Sequence, residues 1–273
     1  MNVDRVLIRQ LEFSAIAAEA ATVAAMRAVD PDDVAELIGF GGGALVATGP
    51  GRYVNRAMGV GLDPEPAVDL EEIERFFDEH HVTPAIEVSA WTDPSVIGQL
   101  NDRSYALGWF RSMFAVDLAS WPDGGPVATP TSASIAVTAA APDDLAIWQK
   151  MLADGNEIAD PTARRISDDF AVTMWNTPGT HHHLARTGGE TVGCGSIHLV
   201  DEMAWMGGMA TLPAWRGRGV QAALIDHRLR LARSLGCKFA LATAATAGVS
   251  ARNLTRHGFQ LTHTQVVMVR SDR

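Results

Sequence analysis

The apolar positions of this chain fall into two successive sets of alternating helical and strand-like segments. A long alanine-rich stretch from Leu7 to Arg27 has helical spacing, and short apolar runs bounded by glycine and proline follow it. These predict strands at Gly43–Thr48 and Asn55–Val60, a helix over Leu70–His80, and a strand at Ala85–Val88. A short helix over Asp93–Asp102 and a strand pair around Trp109–Val116 complete the first half. A second set begins with a strand at Ile135–Thr138 and a helix opened by Pro142-Asp143-Asp144. A polar segment, Asp154–Asp169, reads as irregular. Strands follow at His181–Arg186, Thr191–Leu199 and Met203–Leu212, the first two joined by a Gly188-Gly189 hairpin turn. The pattern then gives a helix over Val220–Leu235 with the stripe Val220, Leu224, Leu231 and Leu235. Gly236 ends it. A strand at Lys238–Thr243, a helix at Ser250–His257 and strands over Gln260–Arg270 close the chain. Leu70–Val116 and Val220–Val269 share one order of elements, so the chain reads as two copies of one α+β design. The boundaries are 1–120 and 133–273, with a Pro/Gly/Ser/Thr-rich linker at 121–132.

Composition supports a folded chain: of 273 residues, 47% are hydrophobic and 20% charged. No apolar run reaches the roughly 20 residues that span a bilayer. The charged N-terminus is unlike a secretory signal, so a cytoplasmic location without membrane partners is expected. Two cysteines, Cys194 and Cys237, suit a reducing compartment and read as small buried residues rather than nucleophiles. The net charge of −10 is uneven: residues 1–130 carry 8 Lys/Arg against 20 Asp/Glu, and residues 131–273 carry 14 against 12. The acidic half excludes a broad nucleic-acid surface and is compatible with a cationic acceptor; a phosphate ligand belongs in the second half.

The second half contains Thr211-Leu-Pro-Ala-Trp-Arg216-Gly217-Arg218-Gly219-Val220-Gln221-Ala222-Ala223, which leaves a strand and enters a helix without a Ser, Thr, Asp or Asn cap. The first amides of such a helix need acceptors, and a phosphate can supply them. Glycines at 217 and 219 allow close approach to the backbone, and Arg216 and Arg218 add positive charge.

This stretch resembles motif A of the GNAT N-acyltransferase superfamily, Gln/Arg-x-x-Gly-x-Gly/Ala, with Arg216 and Gly219 in register and Gln221 in place of the final small residue. Arg252-Asn253-Leu-Thr-Arg-His-Gly258-Phe259 resembles motif B, and the likeness spans roughly residues 134–270. The resemblance implies two GNAT-like domains, each a mixed, mostly antiparallel twisted sheet flanked by helices, with the first copy degenerate. It implies acetyl-CoA as co-substrate and no metal. Coenzyme pyrophosphate would lie on the amides of Arg216, Gly217, Arg218, Gly219, Val220, Gln221 and Ala222. The pantetheine arm would pair with Met209, Ala210 and Thr211 like an added strand. Gly207-Gly208 would form the bulge that parts two strands. Asn253 would meet the arm from the other side. Arg252 and Arg256 could meet the ribose phosphate but read more simply as solvated helix residues.

The activity so implied is transfer of an acetyl group to a small-molecule primary amine by direct attack. Where many members place an acid tyrosine stands Leu254, and the chain's tyrosines are Tyr53 and Tyr105. A thiolate, with a thiol pKa near 8.5, leaves without an acid; an amine near 10.4 needs a base. The base candidates are Glu202 and His198, with Asp160 and Asp169 behind them. His181-His182-His183 cannot all face one metal from a strand. Trp148, Trp175, Trp205 and Trp215 are either an acceptor pocket or core. Two other readings stand beside the enzyme: a non-catalytic acyl-CoA sensor or scaffold, and transfer from a carrier-protein or aminoacyl-tRNA donor.

Overall fold

A computed structural model describes residues 1–63, 65–122 and 135–271. The expected linker at 121–132 lies from residue 123 onward outside the described residues. The chain divides into two compact units. The first comprises Met1–Met113, Thr243–Thr246 and Leu261–Arg273; the second comprises Phe114–Ala242 and Ala247–Gln260.

The first unit opens with α1 (Arg5–Val29), capped by the Asp4 carboxylate, which accepts from the Leu7 amide at 3.0 Å. Then come β1 (Glu36–Phe40), β2 (Gly43–Ala47), β3 (Arg56–Met58), α2 (Leu70–Glu79), β4 (Ala85–Val88), α3 (Pro94–Asp102) and β5 (Tyr105–Asp117). The β1–β2 turn places Gly41 and Gly42 at φ 56° and 74°, the left-handed geometry that a two-residue hairpin needs. The sheet is antiparallel at β1–β2 and β2–β3 and parallel at β3–β4. Leu45, Leu70, Ile73, Phe77 and Ile86 form its core.

The second unit contains β6 (Ala136–Ala139), α4 (Leu145–Gly155), α5 (Pro161–Asn176), β7 (Thr180–Thr187), β8 (Glu190–Val200) and β9 (Met203–Thr211). It continues with α6 (Val220–Ser234), β10 (Phe239–Ala244) and α7 (Val249–Arg256). Its strand order is β10-β9-β8-β7-β6, antiparallel except for the parallel β9–β10 pair. The expected hairpin turn is present, with Gly188 and Gly189 at φ 58° and 85°. Trp148, Met151, Leu152, Ala171, Leu184 and Cys194 pack on one side of the sheet; Val192, Val220 and Leu224 pack on the other. Each unit is thus a mixed, mostly antiparallel sheet with helices.

Four elements differ from the sequence reading. The supposedly irregular Asp154–Asp169 contains the start of α5, whose cap is Asp160, accepting from Ala163 N at 2.8 Å with Pro161 behind it. Strand β1 was not anticipated. On α6 the buried face is Val220, Leu224, Ile225, Arg228, Leu229 and Ala232, while Leu235 is exposed. Finally, the partition at 1–120 and 133–273 gives way to an interleaved one. The last strand, β11 (Gln260–Arg270), pairs antiparallel with β4, from Val266↔Val88 to Val269↔Ala85, so residues 261–273 join the first unit. Residues 114–120 join the second.

Candidate functional site

The start of α6 is built as the sequence requires for an anion. Its cap residue, Gly219, has φ 85° and offers no side chain, and no acidic residue occupies the first turn. Gly217 has φ 73°, and a Cβ there would meet only open space. The preceding Pro213–Trp215 turn closes through Trp215 N to Leu212 O at 2.8 Å and aims the chain into the helix. Val220 and Leu224 anchor that helix in the core, while residues 216–218 are exposed. Arg216 reaches from this turn to Gly155 O at 2.8 Å and Glu157 at 2.7 Å, whereas the Arg218 guanidinium lies 4.9 Å over the Trp215 ring. The uncapped helix start is therefore open, positively flanked and held in place.

Beside it, β9 parts from β10. Their parallel register runs from Met203↔Phe239 to Trp205↔Leu241; beyond it Met206, Gly207, Ala210 and Thr211 pair with β8, and among the described residues none of them is in register with β10. The β8–β9 register shifts between Cys194↔Ala210 and Ser196↔Gly207, so two β9 residues face Gly195 alone. The bulged residues are Gly208 and Met209, one position beyond the expected Gly207-Gly208, since Gly207 is paired with Ser196. Gly208 has φ 52°, and a Cβ on it would fall 2.7 Å from the Trp148 ring and 2.8 Å from Ser196 Oγ. Met209, Ala210 and Thr211 follow it along the free side of β9. Asn253 Nδ2 donates to Gln221 Oε1, and Gln221 Nε2 donates to Ser250 Oγ at 3.3 Å, joining α7 to the first turn of α6.

The catalytic candidates are scattered. Glu202 sits in the turn before β9, paired with Lys238 at 2.7 Å and mostly exposed. Six residues of strand separate it from the bulge, about 20 Å. Asp160 is used as a helix cap, and Asp169 is on the exposed side of α5. His198 is nearer, on β8 opposite Trp205. Thr180 Oγ1 fixes its Nδ1 at 2.9 Å, its Nε2 has no partner, and burial lowers its pKa. His182 lies in a row with Ser196 and Gly207 across β7, β8 and β9. Its ring stacks on Trp175 at 4.5 Å and meets Trp148 edge-on at 4.7 Å. Burial depresses His182 to about 4 and His183 to about 3, so both are neutral bases in the fold. Burial pushes the Cys194 thiol up to about 12, which removes it as a nucleophile. Leu254 is a buried core residue. No metal-binding cluster exists among the described residues. Nor is any described helix long and apolar enough to cross a membrane.

Sequence reasoning missed Arg228. It lies on the α6 face continuous with Val220 and Leu224 and is fully buried. The i, i+4, i+8 spacing from Val220 was the available signal.

The corresponding helix start in the first unit is already filled. Asp69 caps α2 by accepting from Glu71 N at 2.8 Å, and Glu71 and Glu72 occupy the first turn. Beyond the single β3–β4 register pair, Ala57↔Ile86, Asp93 N donates to Gly61 O at 2.7 Å and ties the two strand ends. The interior holds a polar network instead. Glu87 accepts from Arg56 at 2.5 Å and from Arg111, and Glu12 accepts from His263 at 2.6 Å and from Gln265. Burial pushes the Glu87 carboxyl up, but the two guanidinium groups bring it below its usual value.

Comparisons agree with this geometry. Residues 148–259 match the model of the acetyltransferase (GNAT) family. No curated protein matches the chain. A GCN5-related N-acetyltransferase from Kribbella flavida superposes with a TM-score of 0.64 at 18% identity, covering 94% of this chain and 96% of that one. A functionally unknown conserved protein from Staphylococcus epidermidis gives 0.62 at 10% identity, covering 90% and 97%. A tandem GNAT protein from the clavulanic acid biosynthesis pathway gives 0.59 at 16%, covering 85% and 80%. At these identities the likeness is one of fold, and it extends over both units.

Proposed function

From the match of residues 148–259 to the acetyltransferase (GNAT) family model, we propose that the chain transfers an acetyl group from acetyl-CoA to a small primary amine by direct attack on the thioester. The observation that carries this reading is the open, uncapped start of α6 between Gly217 and Ala222, set beside strands that part at a bulge. The amides of Val220, Gln221 and Ala222 and the arginines at 216 and 218 bind the pyrophosphate. The free side of Met209–Thr211 aligns the pantetheine arm, and the Met209 amide next to the bulge meets the developing oxyanion. Asn253 acts by holding Gln221 in place at the first turn. The thiolate leaves unassisted, since Leu254 carries no proton. His198, neutral and with Nε2 free of protein partners, is the base this geometry favours over Glu202.

The test has two parts. Native mass spectrometry of the purified protein should find a mass increment of coenzyme A or acetyl-CoA, and a primary-amine panel should release thiol. Gly219→Trp should weaken coenzyme binding at least tenfold, about 1.4 kcal/mol, in a calorimetric titration. Unchanged affinity in a folded variant excludes this pyrophosphate site. One observation favours a second reading, a non-catalytic acyl-CoA sensor: the position of the acid is a buried leucine. Saturable acetyl-CoA binding without thiol release across the panel would select it.

A further inference from the structure

Among the described residues, Arg228 is the one fully buried arginine with no carboxylate among its bonded partners, and it lies under the bulge. Its Nε donates to Leu224 O at 3.0 Å; Nη1 donates to Ser196 O at 2.8 Å and Gly207 O at 3.3 Å; Nη2 contacts Met209 Sδ at 3.0 Å. Gly195, the residue skipped by the β8–β9 register, makes room for it: a Cβ there would stand 3.0 Å from the guanidinium carbon. Burying a cation without a counter-ion is costly, and three carbonyl dipoles offset only part of that cost. The helix stripe of Val220 and Leu224 would be served at this position by an aliphatic residue. Burial lowers the arginine pKa only to about 10, so the charge persists at neutral pH.

The bonds made by this cation define what it can do. The peptide joining Gly207 and Gly208 is planar and trans, so its N–H points opposite to its C=O. A guanidinium that holds the Gly207 carbonyl on the α6 side turns the Gly208 N–H away from α6, and it polarises that peptide so that the N–H is a stronger donor. The same guanidinium steadies Met209 through its sulfur. We propose that Arg228 is a positioning residue for acyl transfer, polarising the Gly207–Gly208 peptide and, through it and the Met209 sulfur, holding the Gly208–Met209 bulge in place beside the thioester carbonyl. This role rests on the acetyl-CoA reading of the same site. It also supplies a fixed positive field where negative charge develops, without contact with the substrate.

The test is infrared difference spectroscopy of carbonyl-labelled (carbon-13) acetyl-CoA bound to wild type, Arg228→Met and Arg228→Lys, with calorimetric titration of coenzyme A beside it. In wild type the bound thioester band should lie below that of free acetyl-CoA. Arg228→Met should lose at least half of that downshift while the coenzyme A dissociation constant stays within about threefold, because the pyrophosphate contacts lie at Gly217–Ala222. Arg228→Lys, keeping the charge but not the fork, should fall between. A downshift retained in Arg228→Met overturns the role and leaves a structural cation only. If Arg228→Met does not fold, Gly195→Ala displaces the guanidinium without removing its charge, and an unmoved band there overturns the role equally. Wild type that binds no acetyl-CoA instead overturns the coenzyme reading on which the role stands.

Discussion

Gly208 has a left-handed backbone and a space too small for any Cβ, walled by Trp148 and Ser196. Gly208→Ala should therefore destabilise the fold by about 2 kcal/mol through overpacking, read as a lower urea midpoint; a variant of wild-type stability would mean that the bulge is not as described. Glu202→Gln should leave the rate of thiol release within about twofold, because the residue forms an exposed pair with Lys238, and such pairs contribute about 0–1 kcal/mol. A loss beyond tenfold would return Glu202 to the reaction. At this scale the sequence was legible where chemistry is local. Arg216-Gly-Arg-Gly219 announces its turn because glycine conformations and a missing cap are properties of neighbouring residues. Arg228 was passed over, and the separation of Glu202 from the bulge went unseen, because packing against α6 and distance along β9 are not recorded by spacing alone.

At the scale of elements, β7 carries an unusual cost: two of its histidines are buried neutral, in contact with Trp148 and Trp175 or with His227. In the unfolded chain each imidazole titrates near 6.5, whereas in the fold burial lowers His182 to about 4 and His183 to about 3. As pH falls below the unfolded value, the unfolded state takes up protons first, so stability declines from about 6.5 down to the folded values. The slope is at most about 1.4 kcal/mol per pH unit for each histidine. Urea midpoints measured between pH 7.5 and 5.5 should fall, above the range where carboxylates protonate. His183→Leu should flatten the profile, and a flat wild-type profile would refute the burial. The strand itself was readable from its Gly188-Gly189 turn, whereas α5 was not, because its polar first turns hide the apolar residues Ile166, Phe170 and Met174 that follow at helical spacing.

For the molecule as a whole, the repeated element order was readable but the allocation of residues to units was not. Hydrophobic period tells that Gln260–Arg270 is a strand; only pairing tells that it lies against β4. The two units share a design and differ in what stands at the start of the equivalent helix. On α6 that start has glycine, no acidic first turn and two arginines beside it. On α2 it has the Asp69 cap with Glu71 and Glu72. A carboxylate already satisfies the amides there, and three negative charges within one turn repel a diphosphate that the helix dipole alone, worth about 0.3–1 kcal/mol, could not retain. The Asp93–Gly61 hydrogen bond further closes the gap between β3 and β4, where a pantetheine arm would have to enter. Titration with acetyl-CoA should therefore saturate at one equivalent per chain, and Gly219→Trp should abolish that equivalent within the same concentration range. A second equivalent surviving in Gly219→Trp would mean that the first unit binds coenzyme despite its acidic helix start, and that anion recognition in this fold does not depend on a free helix N-terminus.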